Sequence, residues 1–201
     1  MKFFTLFLLF VSLQLSASSE YDNVKTQYAK SYDYELSGQY KEAIKVLAPL
    51  YDKYPKGYTL NLRFGWLFYL NKSYADAIKY YKKASLSNSY ALDPRLGLTR
   101  VYLKMNSLEE AQTVASELLK IDYYNYYANI YMIQALNAQK KYDVSIEIIK
   151  KMLALYPTDI SYLELLAVVY KETDSPYLKK LYEDILILDP NNVFVRSNKE
   201  E

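Results

Sequence analysis

Residues 62–84 read LRFGWLFYLNKSYADAIKYYKKA, and the spacing of their apolar side chains decides the fold. Leu62, Phe64, Phe68 and Tyr69 fall within one helix. Ala77, Ile78, Tyr81 and Ala84 recur at the i, i+3, i+4, i+7 interval of a second helix. Asn71-Lys72-Ser73 joins the two as a short polar turn. The arrangement repeats outward at a fixed 34-residue interval: Phe68 leads back to Tyr34 and on to Tyr102, Leu136 and Tyr170, all large and apolar. Ala77 is matched by Ala43, Ala111 and Ser145, all small. Ala84 is matched by Leu50, Leu118 and Met152, and Tyr74 by Tyr40, Leu108 and Tyr142. The turn recurs as Ser37-Gly38-Gln39, Met105-Asn106-Ser107 and Gln139-Lys140-Lys141. Pro55 maps to Ser89, Tyr123 and Pro157, a column where helices end. Size, polarity and turn chemistry therefore stay in phase along the chain, the mark of a repeat array.

These columns resemble the tetratricopeptide repeat, in which a Gly and an aromatic residue on helix A meet a small and a bulky residue on helix B before a closing Pro. Gly65, Phe68, Ala77 and Tyr81 match that order, as do Gly38, Tyr40, Ala43, Leu47 and Pro55. The expected fold is all-α, a right-handed α-solenoid of about five helix-turn-helix repeats at 24–57, 58–91, 92–125, 126–159 and 160–192. The fifth repeat is one residue short, so Leu178, Tyr182, Ile185 and Pro190 fall one step early. Residues 193–201 follow as a C-terminal tail, and Asn191 to Glu201 resembles the opening of a sixth helix A. The chain departs from the family where a Trp column reads Gln27, Asn61, Arg95, Asn129 and Leu163.

At the N-terminus, Met1-Lys2 precedes an apolar run from Phe3 to Leu15, followed by Ser16-Ala17-Ser18-Ser19. That is the layout of a signal peptide over residues 1–18, with cleavage near Ala17 or Ser18. A retained anchor is the alternative, although the run is short of the roughly 20 residues a span needs. No Cys follows the run, which excludes a bacterial lipoprotein. Export to the periplasm or the medium is expected, with no membrane span left after cleavage.

Composition narrows the chemistry. The chain of 201 residues is 51% hydrophobic and 24% charged, with four Gly, no Cys and no His. Disulfides, thiolate nucleophiles and imidazole proton shuttles are thereby ruled out. Four scattered Gly form no phosphate-binding loop. Glu109-Glu110 and Glu183-Asp184 are adjacent on helices and point about 100° apart, as solvated faces do. No enzyme, cofactor or metal is expected. The formal charge is +2 with Lys and Arg scattered among acids, so the basic stripe of a nucleic-acid binder is missing.

The resemblance implies a concave face lined by the A helices. Counting round each one, the inward columns are Tyr28, Leu62, Leu96, Ile130, Glu164; then Tyr32, Trp66, Arg100, Gln134, Val168; then Glu35, Tyr69, Leu103, Asn137, Lys171. Tyr, Trp and Arg are the residues that most often anchor interfaces. Tyr28, Tyr32, Trp66, Tyr69, Arg100, Tyr127, Tyr131 and Gln134 are accordingly the candidate groove for a partner peptide or helix. The competing explanation is composition, since 25 Tyr place rings everywhere. Tyr28 and Tyr32 stand where carboxylate-gripping members of the family carry Lys and Asn, which argues against a chaperone cofactor of that type. Two other readings remain open. One is self-assembly through an apolar arc at Tyr177–Leu188, unless Val193-Phe194-Val195 folds over it. The other is a glycan-binding accessory of an envelope machine.

Overall fold

A computed structural model describes residues 20–199. The signal-peptide reading of residues 1–18 lies outside them. Every regular element described is helical: α1 (20–36), α2 (Tyr40–Lys53), α3 (Tyr58–Leu70), α4 (Tyr74–Ser87), α5 (Asp93–Lys104), α6 (Leu108–Ile121), α7 (Tyr126–Ala138), α8 (Tyr142–Leu155), α9 (Ile160–Glu172), α10 (Leu178–Leu188) and α11 (Val193–Lys199). The expected all-α fold of consecutive helix-turn-helix pairs is the one observed. Tyr40, Tyr74, Leu108 and Tyr142, one column of the repeat, each open a B helix.

The period is written into the backbone of the turns. Positive φ occurs at Gly38 (72°), Lys72 (60°), Asn106 (57°), Lys140 (59°) and Asp174 (48°), each one full period after the last. At every one the amide donates back to the carbonyl three positions earlier. The next amide then donates to Tyr34, Phe68, Tyr102, Leu136 or Tyr170, at 2.8–2.9 Å. These are paired Schellman bonds closing each A helix. The large apolar column thus supplies both a core side chain and the carbonyl that ends its helix.

Helix B repeats its burial in the same register. Ala43, Ala77, Ala111 and Ser145 are fully buried, as are Leu50, Ala84, Leu118 and Met152 to within 3%. In the last repeat these columns fall one residue early, at Leu178, which is only partly buried, and at Ile185, which is fully buried. Asp174 is still in register, so the missing residue is lost in the turn that delays α10 to Leu178. Gly65 lets helix A approach helix B: a Cβ there would lie 2.6 Å from Cδ1 of buried Tyr81. One period on, the helix-A residue has grown to Thr99 and its helix-B counterpart has shrunk to Ala115, so a larger side chain on one helix faces a smaller one on the other.

The family's Trp column carries a different device here. Asn61 is buried and donates from Nδ2 to the carbonyls of Pro55 (3.0 Å) and Gly57 (2.8 Å). Asn129, two periods later, does the same to Tyr123 (3.2 Å) and Asn125 (2.8 Å). An amide that satisfies two loop carbonyls replaces the bulk of an indole.

The chain divides into two compact units, one running through Ser89 and the second beginning at Tyr90. The first, α1–α4, is built on Ala43, Leu47, Leu50, Leu60, Phe64 and Leu67. Tyr80 lies across it, parallel to Phe68 at 5.1 Å and edge-on to Tyr51 at 5.4 Å. The second, α5–α11, is centred on Ile133, Ile149, Met152, Tyr162, Val169, Ile185 and Val195. Each fully buried leucine or isoleucine contributes about 1.5–3 kcal/mol over an exposed one.

Residues 193–199, expected within a tail, form helix α11. Asn192 caps it, accepting the Val195 amide at 2.9 Å, and ties it to Glu164 of α9 at 2.7 Å. Val195 is fully buried against the Tyr182 and Ile185 cluster. Phe194 meets Tyr182 edge-on at 6.3 Å. α11 thus covers part of the α10 arc, at Tyr182 and Ile185, while Tyr177, Ile187 and Leu188 stay exposed.

Candidate functional site

In the first unit the groove residues are organised around a buried ion pair. Arg63 on α3 is only 7% exposed and pairs through Nη1 with Glu35 of α1. Its Nη2 donates to Ser31 Oγ at 3.1 Å, and its guanidinium lies 3.9 Å from the centre of the Tyr32 ring. The other Glu35 oxygen accepts the indole N–H of Trp66 at 2.6 Å. Trp66 stacks on Tyr69 with ring centres 5.6 Å apart and planes 27° apart, and Tyr69 tilts against Tyr74 at 6.1 Å. Three successive rings on α3 and the start of α4 therefore form a wall whose first member is pinned by a carboxylate. Trp66 and Tyr69 are half-buried and Tyr32 is 52% exposed.

Tyr28 sits apart from this wall. It packs on the first unit's core, and burial raises its phenol above the ordinary range beside Thr59. Tyr28 is thereby more a wall of the core than a contact surface.

The second unit gathers Arg100, Tyr127, Tyr131 and Gln134 on α5 and α7. Arg100 donates from Nε and Nη2 to Tyr131 Oη at 3.0 and 2.9 Å. Tyr131 stacks on Tyr127 at 6.5 Å and 29°, and Tyr127 is 56% exposed. A cleft of about 280 Å³ opens beside Arg100 and Tyr131, bounded also by Leu103, Lys104, Asn106, Leu108, Gln134 and Ala138.

Glu35 and Arg63 are absent from the candidate set, yet they fix the geometry of the first face. The signal for Arg63 is a charge embedded in the apolar run Leu62–Leu70, where a buried partner is required. Its partner Glu35 stands nearly one repeat earlier in the third inward column, where nothing local marks it as the mate of Arg63. Lys104, Asn106 and Leu108 escape the column reading because they lie at the turn, outside the inward columns of the A helices.

The arrangement offers contact surfaces: stacked rings, a guanidinium fixed by a phenol and neutralised buried charge. Among the described residues no three acidic side chains converge as a metal site, and no helix is long and apolar enough to cross a membrane.

Two family models described as tetratricopeptide repeat match the chain, at residues 28–91 and 68–123. The solved structure of MamA 41-end from Desulfovibrio magneticus RS-1 is similar at TM-score 0.72 and 17% identity, over 86% of this chain and 98% of that one. A thermophilic TPR protein in Thermus thermophilus is similar at TM-score 0.67 and 13% identity, over 87% and 95%. YrrB, described as a TPR protein with an unusual peptide-binding site, is similar at 0.68 and 11%, over 87% and 91%. A comparison with curated protein sequences finds no match.

Proposed function

This chain is a tetratricopeptide repeat protein, and we propose that it is a non-catalytic scaffold of the bacterial cell envelope that holds a partner peptide or helix on its A-helix faces. The observation that carries this reading is the Trp66–Tyr69 pair, partly exposed and stacked, with the Trp66 indole held in place by Glu35. A free indole loses rotamer freedom on binding; a pinned one has already lost it, so more of the contact energy is available to the complex. YrrB, with its peptide-binding site on a similar fold, supports a protein ligand. The envelope location rests on the Lys2, apolar run and Ser16–Ser19 layout alone.

Trp66, the only tryptophan, is the optical probe. A partner captured from native envelope extract and purified should shift Trp66 emission to the blue and shield it from a soluble quencher. Trp66→Ala should weaken that complex by about 2 kcal/mol or more. An unchanged affinity in the variant would remove Trp66 from the site. For export, N-terminal sequencing of the native protein should give a start between Ser16 and Glu20; a retained Met1 in the membrane fraction would make it an anchored scaffold.

A second reading, self-association, has its own observation. Tyr177 and Ile187 remain 66% and 77% exposed at α10 despite the cover from α11. Light scattering at rising concentration tests it, and a Tyr177→Ser, Ile187→Ser variant should return any dimer to monomer.

A further inference from the structure

We propose that the cleft between α5, α6 and α7 is a subsite for an acidic side chain, Asp or Glu, carried next to an apolar residue in the partner segment. The inference rests on the scaffold reading and adds the chemistry of what is held.

Two cations border the cleft and no carboxylate does: Arg100 and Lys104 stand one turn apart on the same face of α5. Lys104 is exposed, and no carboxylate of the described residues pairs with it. Arg100 is held differently. Tyr131 Oη accepts two of its N–H groups, which fixes the plane of the guanidinium and occupies both lone pairs of the phenol oxygen. The Tyr131 proton is thereby directed away from Arg100 and serves as a further donor. The amides of Asn106 and Gln134 border the same space, with Asn106 presented by its left-handed turn. Donors on several sides suit an anion, and a fixed guanidinium plane suits a carboxylate. Leu103, Leu108 and Ala138 supply an apolar wall, which suits a neighbouring aliphatic side chain.

The probe is the capped pentapeptide acetyl-Ala-Leu-Glu-Leu-Ala-amide, titrated into isotopically labelled full-length chain. Its Gln analogue is the neutral control, and the same Gln peptide with a free C-terminal carboxylate is the third arm. The Glu peptide should move the amide signals of Leu103, Lys104, Asn106 and Gln134 to saturation, and the Gln analogue should bind about tenfold more weakly or less. Lys104→Gln, at an exposed position, should weaken the Glu peptide several-fold with an unchanged circular dichroism spectrum. Arg100→Gln should weaken it further. Equal binding of the two capped peptides, shifts centred on other residues, or seating of the free terminal carboxylate alone would each overturn the proposal. Should the native partner still shield Trp66 at full affinity in an Arg100→Gln, Lys104→Gln variant, the subsite is lost while the scaffold reading stands. Loss of affinity for the native partner in Trp66→Ala alone bears on the scaffold and not on this cleft.

Discussion

Two residues show how local chemistry sets the geometry of a repeat. Gly65 exists because Tyr81 fills the space its side chain would need. Gly65→Ala forces Tyr81, buried to 3%, from its position. It should cost about 1–3 kcal/mol, measured as a lower urea midpoint with unchanged slope. Gly65→Ala combined with Tyr81→Leu should recover part of that loss, because the clash is with the ring. Lys140 is the opposite case, a residue with a Cβ held at a φ of 59°. The left-handed region costs a side-chain-bearing residue about 1–2 kcal/mol, and Gly38 avoids that cost at the equivalent turn. Lys140→Gly should therefore raise stability by about 1 kcal/mol. Asn106→Gly should gain less, since Asn tolerates this region.

Between elements, the seam of α7 with α9 is closed by phenols. Tyr162 donates to the Tyr126 carbonyl at 2.7 Å, and Tyr126 donates to the Asp159 carboxylate at 2.9 Å. Asp159 in turn caps α9 by accepting the Tyr162 amide. Burial pushes both phenols above the ordinary tyrosine range, most strongly Tyr162. The folded state thus prefers them protonated. Their contribution is fully present below the unfolded tyrosine pKa of about 10 and is lost as pH rises beyond it. Urea midpoints followed from about pH 8 to 11 should fall on the alkaline side. Tyr162→Phe should flatten that fall and cost about 1 kcal/mol at neutral pH for the missing hydrogen bond. A slope equal to that of the unaltered chain would show that Tyr162 does not titrate on unfolding.

At the level of the whole molecule, energy in a repeat array is stored within repeats and between neighbours. Ending the chain after Pro157 removes α9, α10 and α11, and with them most of the cluster that holds Ile133, Ile149 and Met152. The remainder should stay helical by circular dichroism and melt at a lower temperature. Complete loss of helix would mean one indivisible core, contrary to the repeat organisation. Trp66 lies in the first unit and reports on it separately from the far-ultraviolet signal.

The repeat period alone determined the helix count per repeat, the turn positions and the buried columns, down to the one-residue shortening before Tyr182. It did so because each repeat makes the same local demands: a small residue where helices touch and a left-handed residue where one ends. The tertiary structure decided what no period records. Glu35 meets Arg63 of the following repeat and pins Trp66, Arg100 finds the phenol of Tyr131, and α11 folds over Tyr182. Such contacts join different columns of different repeats, so they depend on side-chain reach in three dimensions and leave no spacing in the chain.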